Sequence, residues 1–328
     1  MIKQVVLGVI ALSGVAVVSG IAFEQWSRWS VNRDYQPVGR LIEVDGSNVH
    51  LNCTGNGAPT VVFESGMGDS SASWSEIQPE IAKTNRVCSY DRVGILWSDR
   101  RSESVTATGI VARLHNVLAL ASEVPPYVMV GHSLGGSLVR LYAGHYPQDV
   151  VGVVLIDSSH PDQEDRFSPE VNEVNDIKGM DRALMSVKAA TGIMRLSQRD
   201  PYEEIIYEDL ADMYYQPQSM PAVFAEMDAS HQIHADAGQT TTFGDLPLIV
   251  LSAGRKPTRL PPEITPALWS QFEKTNSDLQ TELAALSTRG EQRIIADASH
   301  YIHWQDPEAV VQAIHDVIFT AQESEGQD

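Results

Sequence analysis

Short, continuous apolar runs alternate along most of this chain with longer segments in which apolar residues recur at helical spacing. Strand-like runs lie at 39–46, 48–53, 59–65, 86–91, 127–132, 150–157, 246–253 and 291–297. Several are β-branched throughout and bounded by Gly, Pro or Asn, the pattern of strands buried on both faces. The first two are close enough to form a hairpin around Asp45-Gly46-Ser47-Asn48. Helical periodicity falls between them, at 73–84, 108–123, 134–146, 275–288 and 306–322. The first of these opens on a serine cap candidate, and the last has Asp306 as cap and Pro307 at the first helical position. Alternating strands and helices predict a mostly parallel, eight-stranded sheet with helices on both faces.

One segment breaks the rhythm. About 85 residues, 158–243, separate the sixth strand from the seventh, too many for a loop. Helices are expected at 171–190, 202–215 and 219–235. Six of the nine methionines lie in this segment, and methionine makes adaptable apolar surface. A helical cap inserted into a core of 38–157 and 244–321 accounts for this. It is either a small subdomain with flexible packing or a substrate lid, and the two readings are compatible.

The N-terminal 1–30 is different again. No charge interrupts the stretch between Gln4 and Glu24, long enough to cross a bilayer and longer than the apolar region of a signal peptide. Phe23, Trp26 and Trp29 follow, where an interfacial aromatic belt would sit. The favoured expectation is an uncleaved membrane anchor. A signal segment cleaved near Gly20 and Ala22, giving a secreted protein, is the alternative, and a plain soluble helix the third reading. Lys3 before the stretch and Arg28 and Arg33 after it nearly balance, but an export-type segment favours a catalytic domain outside the cytoplasm, periplasmic or extracellular.

Charge narrows the partners. With 23 basic and 43 acidic residues the net charge is -20, which argues against nucleic acid and anionic lipid surfaces as ligands. Cys53 and Cys88 are the two cysteines, in no metal-binding spacing. Two buried thiols are favoured, with a single bridge as the alternative.

Candidate chemistry centres on Gly131-His132-Ser133-Leu134-Gly135, which fits G-x-S-x-G between an apolar strand and an amphipathic helix. A sharp strand-to-helix turn would hold Ser133 in an unfavourable conformation, and the flanking glycines leave room for close approach. Such a turn lifts the hydroxyl clear of the sheet and aims a helix N-terminus at it, with the Leu134 N–H facing a developing oxyanion. The spacing of Gly131, Gly135 and Gly136 does not make a dinucleotide fingerprint.

A serine nucleophile needs a base. His300, between the last strand and the last helix, is the candidate, with His303 as competitor; His132 reads as packing. His231 and His234 form an H-x-x-H pair without a carboxylate partner pattern and read as a cap helix face. The base needs an acid. Asp157 ends the sixth strand, 24 residues after Ser133, and Glu263 and Asp162 stand behind it. A second oxyanion donor is expected from the loop after the third strand, where Gly66 and Gly68 bracket Met67. No cofactor and no metal are expected.

These pieces together resemble the α/β-hydrolase superfamily, in its lid-bearing branch, over about 38–320. "VVFESGMGDSSASW", "RVCSYDRVGILWSD", "VMVGHSLGGSLVRLYA", "VVGVVLIDSSHPD" and "ASHYIHWQDPEAVVQAI" carry the resemblance, and "HLNCTG" with "VCSYDR" is similar to a membrane-anchored bacterial subgroup. The resemblance implies an α/β-hydrolase fold, the order Ser133, Asp157, His300, and a cap between the sixth and seventh strands. It also sets strand two beside strand four, so that a bridge between Cys53 and Cys88 becomes conceivable. Ser65-Gly66 stands where the family often has His-Gly, and Leu96 where it usually has glycine. Many members place the acid after the seventh strand, where this chain has no Asp. Asp91-Arg92 reads as a buried structural ion pair.

The implied activity is that of a serine hydrolase of the carboxylesterase or lipase type, acting on esters of small or apolar molecules through an acyl-enzyme. A serine nucleophile speaks against haloalkane or epoxide hydrolysis. Thioester, amide, lactone and C–C hydrolysis, acyl transfer and perhydrolase chemistry share the same residues, and a catalytically weak ligand-binding member is the alternative from another class.

Overall fold

A computed structural model describes residues 2–34, 37–100, 104–175, 179–197, 218–256, 260 and 264–325. Eight strands form one sheet: β1 (Arg40–Val44), β2 (Ser47–Thr54), β3 (Thr60–Glu64), β4 (Val87–Tyr90), β5 (Tyr127–His132), β6 (Val150–Ile156), β7 (Leu248–Ala253) and β8 (Gly290–Ile295). Their order is β1-β2-β4-β3-β5-β6-β7-β8. The β1–β2 and β2–β4 pairs are antiparallel and the others parallel. Each expected strand is present, and the fold is the eight-stranded, mostly parallel α/β-hydrolase fold.

Every residue of β3, β4 and β5 is buried. The period of two along a strand then sends neighbours to opposite layers. Val62 and Met129 face Leu114, Leu118, Leu138 and Tyr142 of α3 (Ala107–Leu120) and α4 (Leu134–His145). Val61, Phe63, Val128 and Val130 face Trp74 and the Ile314 and Val317 positions of α12 (Pro307–Glu325). Asp306 caps the last helix as the sequence suggests, its Oδ1 accepting from Ala309 N, and Thr106 Oγ caps α3 by accepting from Gly109 N. The helix expected at 73–84 is instead a 3-10 turn, Ser71–Trp74, capped by Ser70, followed by the short α2 (Gln78–Ile81) with Pro79 in its first turn.

Between β6 and β7 lie α5 (Gln163–Arg166), α6 (Pro169–Asn175), α7 (Gly179–Ala190), α8 (Ile193–Ser197) and α9 (Met220–Ala237), followed after β7 by α10 (Pro266–Ala284) and after β8 by α11 (Ile302–Gln305). The helix expected at 219–235 is α9. That expected at 171–190 is represented by α6 and α7, and that at 202–215 lies outside the described residues. A helical insertion between the sixth and seventh strands is therefore present in the described residues.

Two expectations are corrected. Cys53 and Cys88 are not free thiols. They face each other directly across the β2–β4 pair, Cα to Cα 4.1 Å apart, and form a disulfide. The N-terminal segment is the helix α1 (Ile2–Asp34), but it is not read as a membrane anchor: among the described residues no helix is long and apolar enough to cross a membrane. Its second half docks on the insertion instead. Gly20 lies against the Thr191 backbone and Phe23 against Gly192. Glu24, fully buried, pairs with Arg28 and with Arg195 of α8 at 2.8 Å. A buried carboxylate held by two guanidiniums belongs to a protein contact, where its charge is compensated. The membrane partner and the extracytoplasmic placement rested on that segment and fall with it.

The disulfide closes a sequence separation of 35 residues. Loss of that constraint on the unfolded chain corresponds to about 3–4 kcal/mol. The Cys53→Ser/Cys88→Ser double variant should therefore unfold at clearly lower urea concentration; an unchanged midpoint would show that the bridge adds no stability.

Candidate active site

The site is built where the carboxyl ends of β3, β5, β6 and β8 converge. Ser133 connects β5 directly to α4 at φ 52° and ψ −122°, a region that side chains other than glycine rarely occupy. Hydrogen bonds hold it there: Ser133 N donates to Ile156 O at 3.1 Å, while Gly136 N and Ser159 N donate to Ser133 O at 2.9 and 3.0 Å. The glycines of the motif are required sterically. A Cβ on Gly131 would lie 2.6 Å from Gly135 O, and one on Gly135 would lie 2.3 Å from Glu64 O and 2.6 Å from Ser65 O. The second contact shows that the loop after β3 rests directly on the start of α4.

Asp157 follows β6 and also has positive φ, 37°. Its N–H donates to Leu251 O at 2.7 Å, and its Oδ1 accepts from Ala253 N at 3.2 Å. The other oxygen, Oδ2, lies 2.7 Å from His300 Nδ1. Burial alone would raise the Asp157 pKa, but the hydrogen bond to His300 and its charge bring it below the usual carboxylate value. His300 shows the converse. Burial alone would lower it, and the bond to Asp157, with the charges of Asp157 and Asp69, carries it above 6.5. The imidazole remains half-exposed.

Two other histidines lie beside it and differ in kind. His132 is buried, with its Nε2 3.0 Å from His300 O and its ring 4.7 Å from the His300 ring. Its Nδ1 faces Asp69 Oδ2 at 3.6 Å, too long for a hydrogen bond. His303 is fully buried on α11 between Trp74 and His132. Burial lowers the pKa of both, with His303 well below 6.5, so both are neutral near pH 7. Only His300 combines an open face with a bonded carboxylate among these three.

Among the other expected positions, Leu134 opens α4, where the first N–H groups have no intrahelical acceptor, and Met67 sits in the turn closed by Asp69 N to Gly66 O at 3.1 Å. Asp162 is exposed at the start of α5, near His160 rather than His300, and Glu263 lies outside the described residues. His231 is exposed, but His234 is buried and bonded to Glu164 Oε1 at 2.9 Å, a carboxylate partner from α5 that the sequence did not suggest.

The Asp91–Arg92 expectation is corrected in its partners. Asp91 pairs with His50 at 2.9 Å and accepts from Ser71 N at 2.7 Å. Arg92 turns the other way and bonds Glu64 at 2.7 Å and Glu226 of α9 at 2.7 and 2.9 Å. It also donates to Ser65 O at 2.8 Å and Gly66 O at 2.5 Å. Tyr90 OH completes the cluster by donating to Glu64 Oε2 at 2.5 Å. Burial drives Glu64 above the usual carboxylate value against the pull of Arg92 and Tyr90. Glu64, Arg92 and Glu226 were absent from the sequence-based site. The available signal was a charged residue at the end of an apolar strand, Glu64 and Arg92, each requiring a partner once buried.

The sequence profile of the α/β hydrolase fold matches residues 59–307, and the chain belongs to the α/β-hydrolase family. It is 26% identical over 276 residues to the uncharacterized protein YqjL of Bacillus subtilis, covering 84% of this chain and 89% of that one. Its fold is similar to that of the Cif epoxide hydrolase from Acinetobacter nosocomialis, with TM-score 0.69, 15% identity, and 91% and 96% of the two chains covered. It is also similar to a thermophilic esterase from Thermogutta terrifontis, with TM-score 0.59, 19% identity, and coverage of 86% and 99%.

The backbone of Ser133 gives a direct test of local strain. Removing the Cβ relieves a conformation that costs roughly 1–3 kcal/mol, less the extra freedom of glycine in the unfolded chain. Ser133→Gly should be more stable than Ser133→Ala by about 1 kcal/mol in thermal unfolding; equal or reversed stabilities would remove the strain argument.

Proposed function

We propose that the protein is a serine hydrolase that cleaves esters of small or apolar molecules, with Ser133 as nucleophile, His300 as base and Asp157 as the acid that orients it. The observation that carries this is the 2.7 Å His300–Asp157 contact beside a serine held at positive φ. In this reading Ser133 Oγ attacks the ester carbonyl carbon as its proton passes to His300 Nε2. The tetrahedral oxyanion is met by the Leu134 and Met67 N–H groups. Collapse expels the alcohol, which takes the proton from His300. Water, deprotonated by His300, then attacks the acyl-enzyme; the second tetrahedral adduct collapses, His300 returns the proton to Ser133 Oγ, and the carboxylic acid leaves.

A serine favours acyl transfer over ring opening of an epoxide. Attack on an epoxide would leave a serine ether, which this machinery cannot hydrolyse, whereas an acyl-serine is itself an ester. The same reasoning keeps thioesters, lactones and activated amides within the substrate range and leaves no step that calls for a cofactor.

An organophosphonate probe should label Ser133 in the wild type and fail on Ser133→Ala. Absence of an adduct on Ser133, read by mass spectrometry of the peptide, would sink this reading.

The pH profile follows from the direction of the His300 shift. The base works neutral, so kcat/KM should fall as pH drops through the raised His300 pKa, placing the acid limb above 6.5. Asp157→Asn removes the principal group that raises it. That variant should lose about 10²- to 10⁴-fold in kcat and move its acid limb to lower pH. Near wild-type turnover would assign the acid elsewhere.

A further inference from the structure

The loop that carries Met67 is closed by Asp69 N donating to Gly66 O at 3.1 Å and Ser65 Oγ donating to Ser70 O at 3.1 Å, with Gly68 at φ 72°. Neither bond holds the Met67–Gly68 peptide. Yet an oxyanion donor is useful only when held within a few tenths of an ångström of the developing charge. The two peptide planes that flank Met67 are each fixed from outside the loop. Gly66 C=O belongs to the same peptide as Met67 N–H, and it accepts from Arg92 Nη2 at 2.5 Å. Because a trans peptide points its N–H opposite its C=O, Arg92 sets the direction of the Met67 N–H. The next peptide, Met67–Gly68, is fixed by the Gly68 N–H, which donates to Glu226 Oε2 at 2.8 Å. Glu226 in turn holds Arg92 by the two-pronged pair Nε–Oε1 at 2.7 Å and Nη2–Oε2 at 2.9 Å.

Glu226 differs from the other members of this cluster in where it comes from. Glu64, Tyr90 and Arg92 belong to the sheet and its connections, but Glu226 belongs to α9, in the insertion. The same helix touches both core loops. A Cβ on Gly68 would lie 3.0 Å from Val223, one on Gly94 would lie 2.6 Å from Ala222, and Ser219 Oγ accepts from Leu96 N at 3.2 Å. Glu226 is 2% exposed, so withdrawal of α9 would leave a buried guanidinium short of a partner and the Gly68 N–H unbound.

We propose that Glu226 is a positioning residue: docked from the cap helix, it completes the alignment of the Met67 oxyanion donor, so that the oxyanion site is organised only when α9 is seated. The inference rests on the hydrolase reading above, and it predicts a loss confined to the tetrahedral stage. With p-nitrophenyl acetate and butyrate, and with enzyme concentration set by phosphonate titration of Ser133, Glu226→Ala should lower kcat by about 30- to 100-fold. KM should stay within about threefold. The affinity for a trifluoromethyl ketone, whose Ser133 adduct presents the oxyanion, should fall by the same factor as kcat. Glu226→Gln keeps the volume and one acceptor oxygen and should fall about fivefold to tenfold, so it carries the comparison if the alanine variant does not fold. Variants that label, turn over and bind the ketone within about twofold of wild type would overturn the positioning role and leave the hydrolase reading intact, as would a change in KM alone. A wild type that does not label at Ser133 would overturn both.

Discussion

Ser133 is held in a backbone conformation that its side chain disfavours, and the surrounding chain is arranged around that constraint. Its N–H is taken by Ile156 and its carbonyl by Ser159, so the end of β6 grips the turn between β5 and α4 from both sides. The grip has geometric consequences. Asp157 follows Ile156 immediately, and it is fixed to β7 twice, by its N–H on Leu251 O and by its Oδ1 on Ala253 N. The carboxylate that reaches His300 is thus referenced to the same strand end as the serine. Strain at two adjacent strand ends persists because several neighbours over-determine each of them.

Electrostatics separates three histidines that lie ring against ring. Among the described residues His132 and His303 have no carboxylate within hydrogen-bond distance, and burial holds them neutral. His300 has one at 2.7 Å, which stabilises its charged form and fixes its Nδ1 as the donor, leaving Nε2 open. The neutrality of the other two matters as much. A second imidazolium 4.7 Å from His300 would oppose its protonation. The same low dielectric that suppresses His132 and His303 strengthens the Asp157–His300 pair.

Much of this was legible in the sequence because it is local. The strands are short apolar runs, and the G-x-S-x-G spacing encodes a steric requirement, now visible in the contacts that Gly131 and Gly135 leave no room to change. Asp157 and His300, which the structure brings into contact, were legible as candidates because each follows a recognisable strand. What failed was non-local. Asp91 and Arg92 are neighbours in sequence but turn to opposite sides, as successive residues of an extended chain do, toward His50 and Glu226 respectively. Glu226 lies 134 residues from Arg92, beyond any motif. The pairing of Cys53 with Cys88 followed from strand order, which neither cysteine encodes. The apolar character of α1 pointed to a bilayer, while one residue in it, Glu24, is committed to Arg195 of the insertion.

The division of contacts between core and insertion has a physical consequence for the site. The serine turn and Asp157 are gripped by strand ends, and the backbone around His300 by Gln305 and the His132 ring. The loop after β3 is shared. Ser65 and Gly66 are held from the core through Arg92, and Gly68 from the insertion through Glu226. Arg92 sits between two carboxylates, one rooted in the sheet and one in α9, so its N–H donors are fully engaged only when both are in place. In the proposed reaction, the turn that carries the attacking serine and the loop that would stabilise the resulting charge therefore draw on different sets of contacts. α9 also packs on α4 through Ile233, but through Glu226 it makes its hydrogen bond to the loop after β3, so its displacement would remove the Gly68 hydrogen bond directly.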